Sequence, residues 1–422
     1  MDRERRIKMN TSLTEKFVPI LLGSDINVYG MARSFYEAYG MVSEAYGAAE
    51  LAATKYSKIV NLHVVSHFNE DPTFIETMRK VAKEYENDHR ILMLIPCGDG
   101  YTELLARHKD ELTSWFVCPT IDTELQQTLS NKVSFYETCE KYGLPYPKTM
   151  VITKDMMETT DEIAPPFSFP VALKPADSVS YLDVSFEGRK KAYIIENQAE
   201  FQDILNKIYE NGYTAEMICQ DFIPGDDSHM RVLNAYVDQH HQVRMMCLGH
   251  PLLEDPTPGS VGNYMAIMPD FNDDIYRRIK KFLEEIEYTG FANFDMKYDA
   301  RDGEYKLFEI NLRQGRSSFY VTLFGYNLAK YITEDYVLNK PFTKTTIGHG
   351  DKLWIGAPVK VLKEYIADSP DKEEAMDYIQ NKKYGSTIFF KKDMNLRRFV
   401  LVRYMFYQYH ARFKKYFKQK KG

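Results

Sequence analysis

The sequence has few of the patterns that mark disulfide-rich, zinc-binding or dinucleotide-binding proteins. Its five cysteines are scattered singly without a CxxC pair, which argues against a zinc site or a disulfide framework and fits a reducing compartment. Its ten histidines show no HExxH spacing, and His240 and His241 are interpreted as turn residues. It has no GxGxxG run, so we predict no dinucleotide site.

The sequence also lacks long apolar runs. No stretch reaches the length that spans a bilayer, and the polar N-terminus has no apolar core of a signal peptide, so we expect a cytoplasmic protein. A content of 44% hydrophobic and 27% charged residues is typical of a soluble globular enzyme. The length of 422 residues indicates two or three domains.

Charge is unevenly distributed along the chain. The net charge is -6, yet residues 391–422 contain eleven Lys or Arg and one Asp, interleaved with Phe, Tyr, Val and Leu. This basic tail is interpreted either as a packed helix with a solvated, lysine-rich end, or as a helix whose face rests on an anionic inner membrane leaflet or meets an anionic nucleotide-linked substrate. Charge alone would allow nucleic-acid binding, but no other feature supports it, so we expect no nucleic-acid partner.

The first hundred residues predict a parallel sheet. Residues 17–23 (FVPILLG) are typical of a buried strand that ends at glycine, and a helix is predicted over about 29–39. Strand-like runs recur at 59–65 and 90–96, each after a helical pattern. Repeated units of this kind form open sheets whose loops bind ligands at the carboxyl ends of the strands.

Two lysines and a turn mark the middle of the chain. Lys132 opens a predicted helix, which alone would also suit a surface cation, and Lys174 is the single charge in the buried run 169–176 (FPVALKPA). A lysine in such a run is usually paired or faces a ligand, because burying a lone ammonium is costly. Residues 215–227 predict a strand and a turn that either hold a nucleotide, with Asp227 accepting from ribose hydroxyls, or simply link two domains.

The run 305–316 (YKLFEINLRQGR) predicts a strand with a chemically distinctive face. Side chains two apart in a strand share a face, so Glu309, Asn311 and Arg313 are expected to converge. The run 291–298 (FANFDMKY) is a second alternating strand that would bring Asp295 alongside. Two carboxylates and an amide suit Mg²⁺, and an arginine suits a phosphoryl group. The alternative is an exposed, solvated hairpin.

Taken in order, Lys132, Lys174, the hinge at 220–227, Asp295 and the Glu309/Asn311 pair resemble the signature of the ATP-grasp superfamily. The resemblance covers roughly residues 17–340. It implies a mixed α/β and α+β fold, with a Rossmann-like pre-ATP-grasp domain followed by a two-lobed ATP-grasp fold. The implied domains are 1–128 (pre-ATP-grasp), 129–226 (central and hinge lobe), 227–345 (C-terminal lobe with the metal site) and 346–422 (C-terminal extension with the basic tail).

More narrowly, three segments are similar to the D-aspartate ligases, which make the peptidoglycan cross-bridge of some Gram-positive bacteria. They are GSDINVYGMAR from residue 23, KPADSVSY from residue 174 and EINLRQGRSSFY from residue 309. The resemblance implies an ATP- and Mg²⁺-dependent ligase that activates the β-carboxylate of D-aspartate as an acyl phosphate. The acceptor would be the lysine ε-amine of a muramyl pentapeptide precursor. Two alternatives are another ATP-grasp amino-acid or dipeptide ligase, and a non-catalytic nucleotide-binding regulator.

The resemblance also assigns roles to single residues. Mg²⁺ is assigned to Asp295, Glu309 and Asn311, and the transferring phosphoryl group to Arg231 and Arg313. ATP is assigned to a longer set: Lys132, Lys174, Ser178, Ser180, Gln220, Asp221, Phe222, Ile223 and Asp227. The substrates are assigned to residues from both ends of the fold: Gly23, Ser24, Asp25, Asn27, Arg316, Ser317 and Ser318.

Three positions depart from the superfamily pattern. Asp177, Ser178 and Ser180 stand where many relatives have a glycine-rich loop, which leaves the covering of the γ-phosphate open. Gln220 replaces the commoner glutamate, and the usual EINPR is EINLR in this chain, with Leu312 in place of the proline.

Overall fold

The structure is a computed structural model that describes residues 13–159, 162–176, 180–260 and 262–420. Within these ranges the strands form three sheets. No helix in the same ranges combines the length and the apolar character needed to cross a membrane.

The N-terminal domain is built on a four-stranded parallel sheet in the order β3-β2-β1-β4, which confirms the predicted parallel sheet. Its strands are β1 Phe17–Leu22, β2 Ser43–Gly47, β3 Val60–Val64 and β4 Ile91–Pro96. Its helices are α1 Ile26–Tyr39, α2 Thr73–Glu84, α3 Asp99–Arg107 and α4 Lys109–Leu112. Strand β1 is buried along its whole length, as expected for a parallel strand covered on both faces.

Two elements of this domain differ from the sequence prediction. Strand β2 is not predicted, because SEAYG contains no apolar run. Helix α1 begins earlier than predicted, because the Asp25 carboxylate caps it by accepting from the backbone N–H groups of Asn27 at 2.9 Å and Val28 at 3.3 Å.

The central lobe is a four-stranded antiparallel sheet in the order β5-β8-β6-β7. Helices α5 Thr123–Ser130 and α6 Lys132–Lys141 lead into it. The lobe contains β5 Thr149–Ile152, α7 Lys154–Thr159, β6 Val171–Pro175, β7 Tyr193–Ile195, α8 Gln198–Glu210 and β8 Met217–Asp221. Side chains such as Leu173 and Phe201 form a core of its own. The chain leaves the lobe through Gly225, whose φ of 104° favours glycine.

The C-terminal lobe is built on an eight-stranded sheet in the order β13-β12-β9-β10-β11-β15-β16, with β14 also paired to β10. Its strands are β9 Met230–Val237, β10 Val243–Glu254, β11 Tyr264–Asp270, β12 Gly290–Asp299, β13 Glu304–Asn311, β14 Thr346–Gly348, β15 Leu353–Ile355 and β16 Tyr384–Gly385. Its helices are α9 Asp273–Glu285, α10 Phe319–Leu323, α11 Leu328–Tyr336, α12 Val359–Tyr365, α13 Pro370–Gln380 and α14 Leu396–Lys420. His240 and His241 lie in the turn between β9 and β10, as predicted.

Two features cross the predicted domain boundaries. In α6, Phe135 and Cys139 pack in the same core as Leu233 and Leu307 of the eight-stranded sheet, so this helix sits against the C-terminal lobe. Strands β14, β15 and β16 come from the predicted C-terminal extension, yet they pair with the eight-stranded sheet. The apolar periodicity of a helix predicts a buried face but not the sheet that covers it.

Helix α14 joins two parts of the molecule. Val402 is fully buried in the core that contains Tyr29 and Met31 of α1. Phe413, three turns later, is fully buried with Ile355 of β15. The helix therefore packs on both the N-terminal domain and the C-terminal lobe. This confirms the packed-helix interpretation of the basic tail for its inner face.

A buried ion pair fixes the start of this helix. The Arg398 side chain is fully buried, and its Nε lies 3.1 Å from Asp393 Oδ2. Arg398 also donates to the backbone carbonyls of Lys55 at 2.8 Å and Ala53 at 2.9 Å. The Asp393 carboxylate accepts from the Tyr29 hydroxyl at 2.9 Å. All these groups join α14 to the N-terminal domain.

We expect Arg398→Met to lower the free energy of unfolding by about 3–5 kcal/mol, because it leaves the Asp393 carboxylate buried without its cation. Urea unfolding followed by circular dichroism would measure the change. The matched control is Arg397→Met, on the exposed side of the same helix, for which we expect a change within about 0.5 kcal/mol. Equal stability of the two variants would contradict the assigned role.

Candidate active site

The centre of the candidate site lies where β12 and β13 pair. The antiparallel register sets Asp295 opposite Glu309 and Asn293 opposite Asn311. Directly opposed residues project to the same face of a sheet. The Asn311 amide donates to Asp295 Oδ2 at 3.2 Å and to Asn293 Oδ1 at 3.1 Å. The structure thus brings the three predicted metal ligands together.

Burial and like charge perturb the Asp295 carboxyl group. Burial, with the negative charge of Glu309 as the next cause, raises the pKa of Asp295 to about 7. The Tyr264 hydroxyl donates to Asp295 Oδ1 at 2.7 Å and partly offsets the rise in pKa. A divalent cation would favour the charged carboxylates, so the two acids and the amide fit Mg²⁺. This set contains only two acidic side chains. Within the described ranges, no cluster of three or more His, Cys, Asp or Glu side chains is arranged to hold a metal ion.

Lys174 approaches this centre from strand β6 of the central lobe. Its ammonium donates to the Tyr136 hydroxyl at 3.0 Å and lies 5.5 Å from the centroid of that ring. Burial lowers the pKa of Lys174 to about 8, and the Glu309 charge opposes the shift. Lys174 is therefore a partly buried cation that feels the charge of Glu309 and is hydrogen-bonded to Tyr136.

Tyr136 is a site residue that the sequence did not reveal. Its hydroxyl donates to the backbone carbonyl of Phe308 at 2.8 Å. Phe308 is the extra residue of a β-bulge in β13, where the register shifts after the Asp295–Glu309 pair. The only signal in the sequence is the position of Tyr136 four residues after Lys132, which places both on one face of α6.

Gln220 in β8 faces the same cluster but is engaged inside the protein. Its amide donates to Thr149 Oγ1 at 2.8 Å, and its amide oxygen lies 3.5 Å from the Tyr136 hydroxyl oxygen. The side chain is buried. Gln220 thus positions Tyr136, which in turn contacts Lys174.

Two cations tie the hinge to the end of β12. Arg301 donates to both carboxylate oxygens of Asp221, each at 3.0 Å. Lys297 donates to the Ile223 carbonyl at 2.8 Å and lies 5.4 Å from the centroid of the Phe222 ring. Neither cation was predicted, since both lie far from the hinge in the sequence.

The remaining predicted ATP residues lie around this hinge or outside the description. Asp227 accepts from the backbone N–H of Glu254 at 2.9 Å, at the end of β10. Lys132 is the first residue of α6, which Asn131 caps. Ser178 lies outside the described residues, and so does the side chain of Ser180.

Arg313 lies next to Asn311, one of the three predicted metal ligands. Its guanidinium donates to Asn311 Oδ1 at 3.3 Å and to Asp99 Oδ2 at 2.8 Å, and its side chain is only 13% exposed. Asp99 is the first residue of α3, directly after the loop that follows β4. The N-terminal domain therefore forms one wall of the site, at the carboxyl ends of its strands, where ligands are expected in such sheets.

Arg231 does not join Arg313, which corrects the prediction that both arginines meet at one site. In the ladder of β9 and β12, Arg231 is paired with Met296, the neighbour of Asp295, so it projects from the opposite face of the sheet. There its guanidinium is ion-paired with Asp270 and lies over the Tyr305 ring. The sequence could not predict the face from which Arg231 projects. That face depends on the pairing register between β9 and β12, which sets Arg231 opposite Met296 and not opposite Asp295.

The predicted substrate residues of the first loop lie next to the segment that follows β13. Burial raises the pKa of the Asp25 carboxyl, and the positive charges of Arg316 and Arg313 oppose that rise. The Asn27 amide donates to the Gln314 carbonyl at 2.8 Å. The first βα turn and the end of β13 therefore form one continuous surface.

Most of the other predicted substrate residues lie beneath this surface and support it through backbone conformation and buried contacts. Gly23 has a φ of 124°, which favours glycine, and the Ser24 carbonyl accepts from the Thr54 hydroxyl at 2.8 Å. Ser317 and Ser318 are buried, and the Ser318 hydroxyl is 2.5 Å from Asn234 Oδ1. Arg316 is exposed at the rim.

Comparisons with solved structures define the class. The chain matches the biotin carboxylase domain of the 2-oxoglutarate carboxylase of Hydrogenobacter thermophilus with a TM-score of 0.59 and 14% identity, over 80% of this chain and 73% of that chain. It matches an L-amino acid ligase from Bacillus licheniformis with a TM-score of 0.53 and 14% identity, over 78% and 75% of the two chains. Together with the three sheets and the site between them, these matches show that the protein has the ATP-grasp fold.

A curated relative gives the family. The chain is 61% identical to a D-aspartate ligase of Enterococcus faecium (strain Aus0004) over 420 residues, which cover 98% of this chain and 100% of the relative. It therefore belongs to the D-aspartate ligase family. No protein-family model matches the chain.

Proposed function

We propose that this protein uses ATP and Mg²⁺ to activate the β-carboxylate of D-aspartate. It then joins that carboxylate to the lysine ε-amine of a muramyl pentapeptide precursor. The observation that carries the proposal is the opposed pair Asp295 and Glu309, with the Lys174 ammonium beside it, in a chain of the D-aspartate ligase family. This grouping suits phosphoryl transfer and contains no nucleophile–base pair.

In the first step, phosphoryl transfer from ATP to the substrate carboxylate, the residues of the site would have different roles. Asp295, Glu309 and Asn311 would hold Mg²⁺, and Lys174 would offset the negative charge of the phosphates. Arg313 would stabilise the phosphoryl group as it moves to the substrate carboxylate. When bound, MgATP supplies the phosphoryl group of the acyl phosphate, with ADP as the leaving group.

The nucleotide would lie between the central and C-terminal lobes. We assign the adenine to the hinge at residues 220–223 and the ribose to Asp227. We assign the phosphates to Lys132 and to the loop that contains Ser178 and Ser180. The contacts of Lys297 and Arg301 with this hinge support the assignment, because they hold its backbone in place beside β12.

We assign D-aspartate to the surface between the first βα turn and the end of β13. Asp25 is an acceptor for the α-ammonium, and Arg316 is a donor to the α-carboxylate. Gly23, Ser24 and Asn27 shape one side of this surface, whereas Ser317 and Ser318 shape the other. In the second step the lysine amine attacks the acyl carbon, phosphate leaves and an amide forms.

The metal assignment predicts a pH dependence. Because the pKa of Asp295 is raised to about 7, protons compete with Mg²⁺ below that pH. We expect the Mg²⁺ concentration for half-maximal activity to rise up to about tenfold per pH unit below about pH 7 and to level off above it. Mg²⁺ titrations of phosphate release at several pH values would measure this. A flat dependence between about pH 6 and 8 would contradict the assignment.

Mass spectrometry tests the proposed reaction directly. The protein is incubated with ATP, Mg²⁺, a muramyl pentapeptide precursor and either D- or L-aspartate. We expect the mass of one added aspartyl group with D-aspartate only. Product with a different amino acid would favour another ATP-grasp ligase. Absence of phosphate release with every amino acid tested would favour a non-catalytic regulator.

Contact with a membrane is a separate proposal, because it depends on residues of the basic tail that lie outside this site.

A further inference from the structure

The outer face of α14 carries apolar and aromatic side chains that the rest of the described chain leaves uncovered. The exposed fractions are 80% for Leu396, 60% for Val400, 59% for Tyr404 and 71% for Tyr407. Spacings of four and seven residues place Leu396, Val400 and Tyr407 on one stripe of the helix, and Tyr404 borders it. A single exposed apolar side chain is ordinary, but a continuous row of them marks an interaction site.

Cations surround this outer face. Among the exposed basic residues, Lys391 and Lys392 lie in the turn just before the helix, and Arg397, Arg403, Arg412, Lys414 and Lys415 lie on the helix itself. The one acidic residue between 391 and 422 is Asp393, which is fully buried against Arg398 and adds no exposed negative charge. The Arg397 guanidinium also lies 6.0 Å from the ring centroid of Tyr56, which is 42% exposed, so the face continues onto the N-terminal domain.

We propose that the outer face of α14 docks on the surface of a bilayer that contains anionic lipids. Its apolar and aromatic side chains enter the boundary between headgroups and acyl chains, and its cations pair with lipid phosphates. The opposite face of the helix is fixed to the protein through Val402 and Phe413, which are both fully buried. The contact is therefore peripheral and requires no refolding.

The positive charge and the apolar side chains of this face favour an anionic bilayer over other binding partners. A symmetric dimer through it would bring two cationic surfaces together, and like charges at an interface are unfavourable. A small anionic ligand would find no enclosing walls on an exposed helix face. Nucleic acid would gain nothing from the aliphatic side chains of Leu396 and Val400, which bury well in hydrocarbon.

Vesicle flotation tests the proposal with the full-length protein. We expect flotation with vesicles of phosphatidylglycerol and phosphatidylcholine, weak flotation with phosphatidylcholine alone, and loss of binding as salt rises. The double variant Val400→Ser, Tyr407→Ser should bind at least about tenfold more weakly, because it removes apolar area from the contact. Arg403→Gln should bind about fivefold more weakly.

The matched control carries two substitutions of equally exposed apolar residues elsewhere. Val64 and Ile194 are each 53% exposed, so Val64→Ser, Ile194→Ser should float like the unmodified protein. Every variant should keep full ligation of soluble substrates, measured without vesicles, since none of these residues lies in the candidate active site. This readout separates failure of the membrane proposal from failure of the proposed function.

Three results would overturn the membrane proposal. The first is absence of flotation of the unmodified protein with anionic vesicles. The second is equal flotation of the Val400→Ser, Tyr407→Ser variant and the unmodified protein. The third is a dimer in sedimentation velocity that this variant abolishes, because the face would then be occupied by a second copy of the chain.

Discussion

Glu309→Gln is expected to reduce the turnover of ligation by roughly 10²–10³-fold, the effect of removing one preorganised electrostatic group. The substitution keeps the size of the side chain and removes the charge that opposes Asp295 across the β12–β13 pair. It also removes the negative charge that opposes the lowering of the Lys174 pKa. Steady-state phosphate release with D-aspartate and acceptor would measure the loss.

The same strand offers a matched control for this variant. Glu304 begins β13, is partly exposed and lies 3.3 Å from Arg278 on the surface. Glu304→Gln should therefore keep nearly full activity. Both variants should unfold at the same temperature as the unmodified protein, because Glu309 is exposed. Near-normal turnover of Glu309→Gln would refute the metal assignment.

Lys174→Met is expected to lower kcat/KM for ATP by a similar factor, roughly 10²–10³-fold, while leaving the fold intact. Burial lowers the pKa of Lys174 to about 8, which means that the folded protein disfavours the ammonium. Removing this charge should therefore not destabilise the protein. Activity and thermal unfolding, measured on the same preparation, should change independently of each other.

Two further variants make the test of Lys174 sharper. Lys148→Met, at an exposed lysine just before β5, should keep its activity. In the unmodified protein, KM for ATP should rise above about pH 8, as the ammonium loses its proton. Lys174→Arg stays charged and should remove that rise, whatever its absolute activity. A rise in KM that persists in Lys174→Arg would assign the titration to another group.

The convergence of the three proposed metal ligands was predictable because alternation along a strand fixes which side chains share a face. Glu309 and Asn311 are two residues apart, and that spacing alone brings them together. Asp295 required one more assumption, the pairing of β12 with β13, which the structure contains. The same reasoning fails for Arg231. The face from which it projects depends on the register between β9 and β12, and the sequence of either strand alone does not determine that register.

Other parts of the site depend on contacts between residues far apart in the chain. Asp99 contacts Arg313 and Arg301 contacts Asp221, and neither pair shares a local pattern. Tyr136 was predictable only as a buried residue of a helix. Which sheet α6 packs against, and hence that Tyr136 reaches Lys174, follows from the assembled core. Sequence periodicity predicts a buried face, and only the tertiary structure supplies its partner.

Helix α14 packs on the N-terminal domain through Val402 and on the C-terminal lobe through Phe413. These two bodies are thereby fastened to each other, whereas the central lobe has a separate core and is connected through Gly225. The N-terminal domain and the C-terminal lobe are therefore held in a fixed arrangement, and the central lobe is less constrained. This arrangement predicts that the proposed amino-acid surface, which the N-terminal domain and the C-terminal lobe share, is preformed, and that the nucleotide enters by rotation of the central lobe. We therefore expect departure of ADP to follow the opening rate of that lobe.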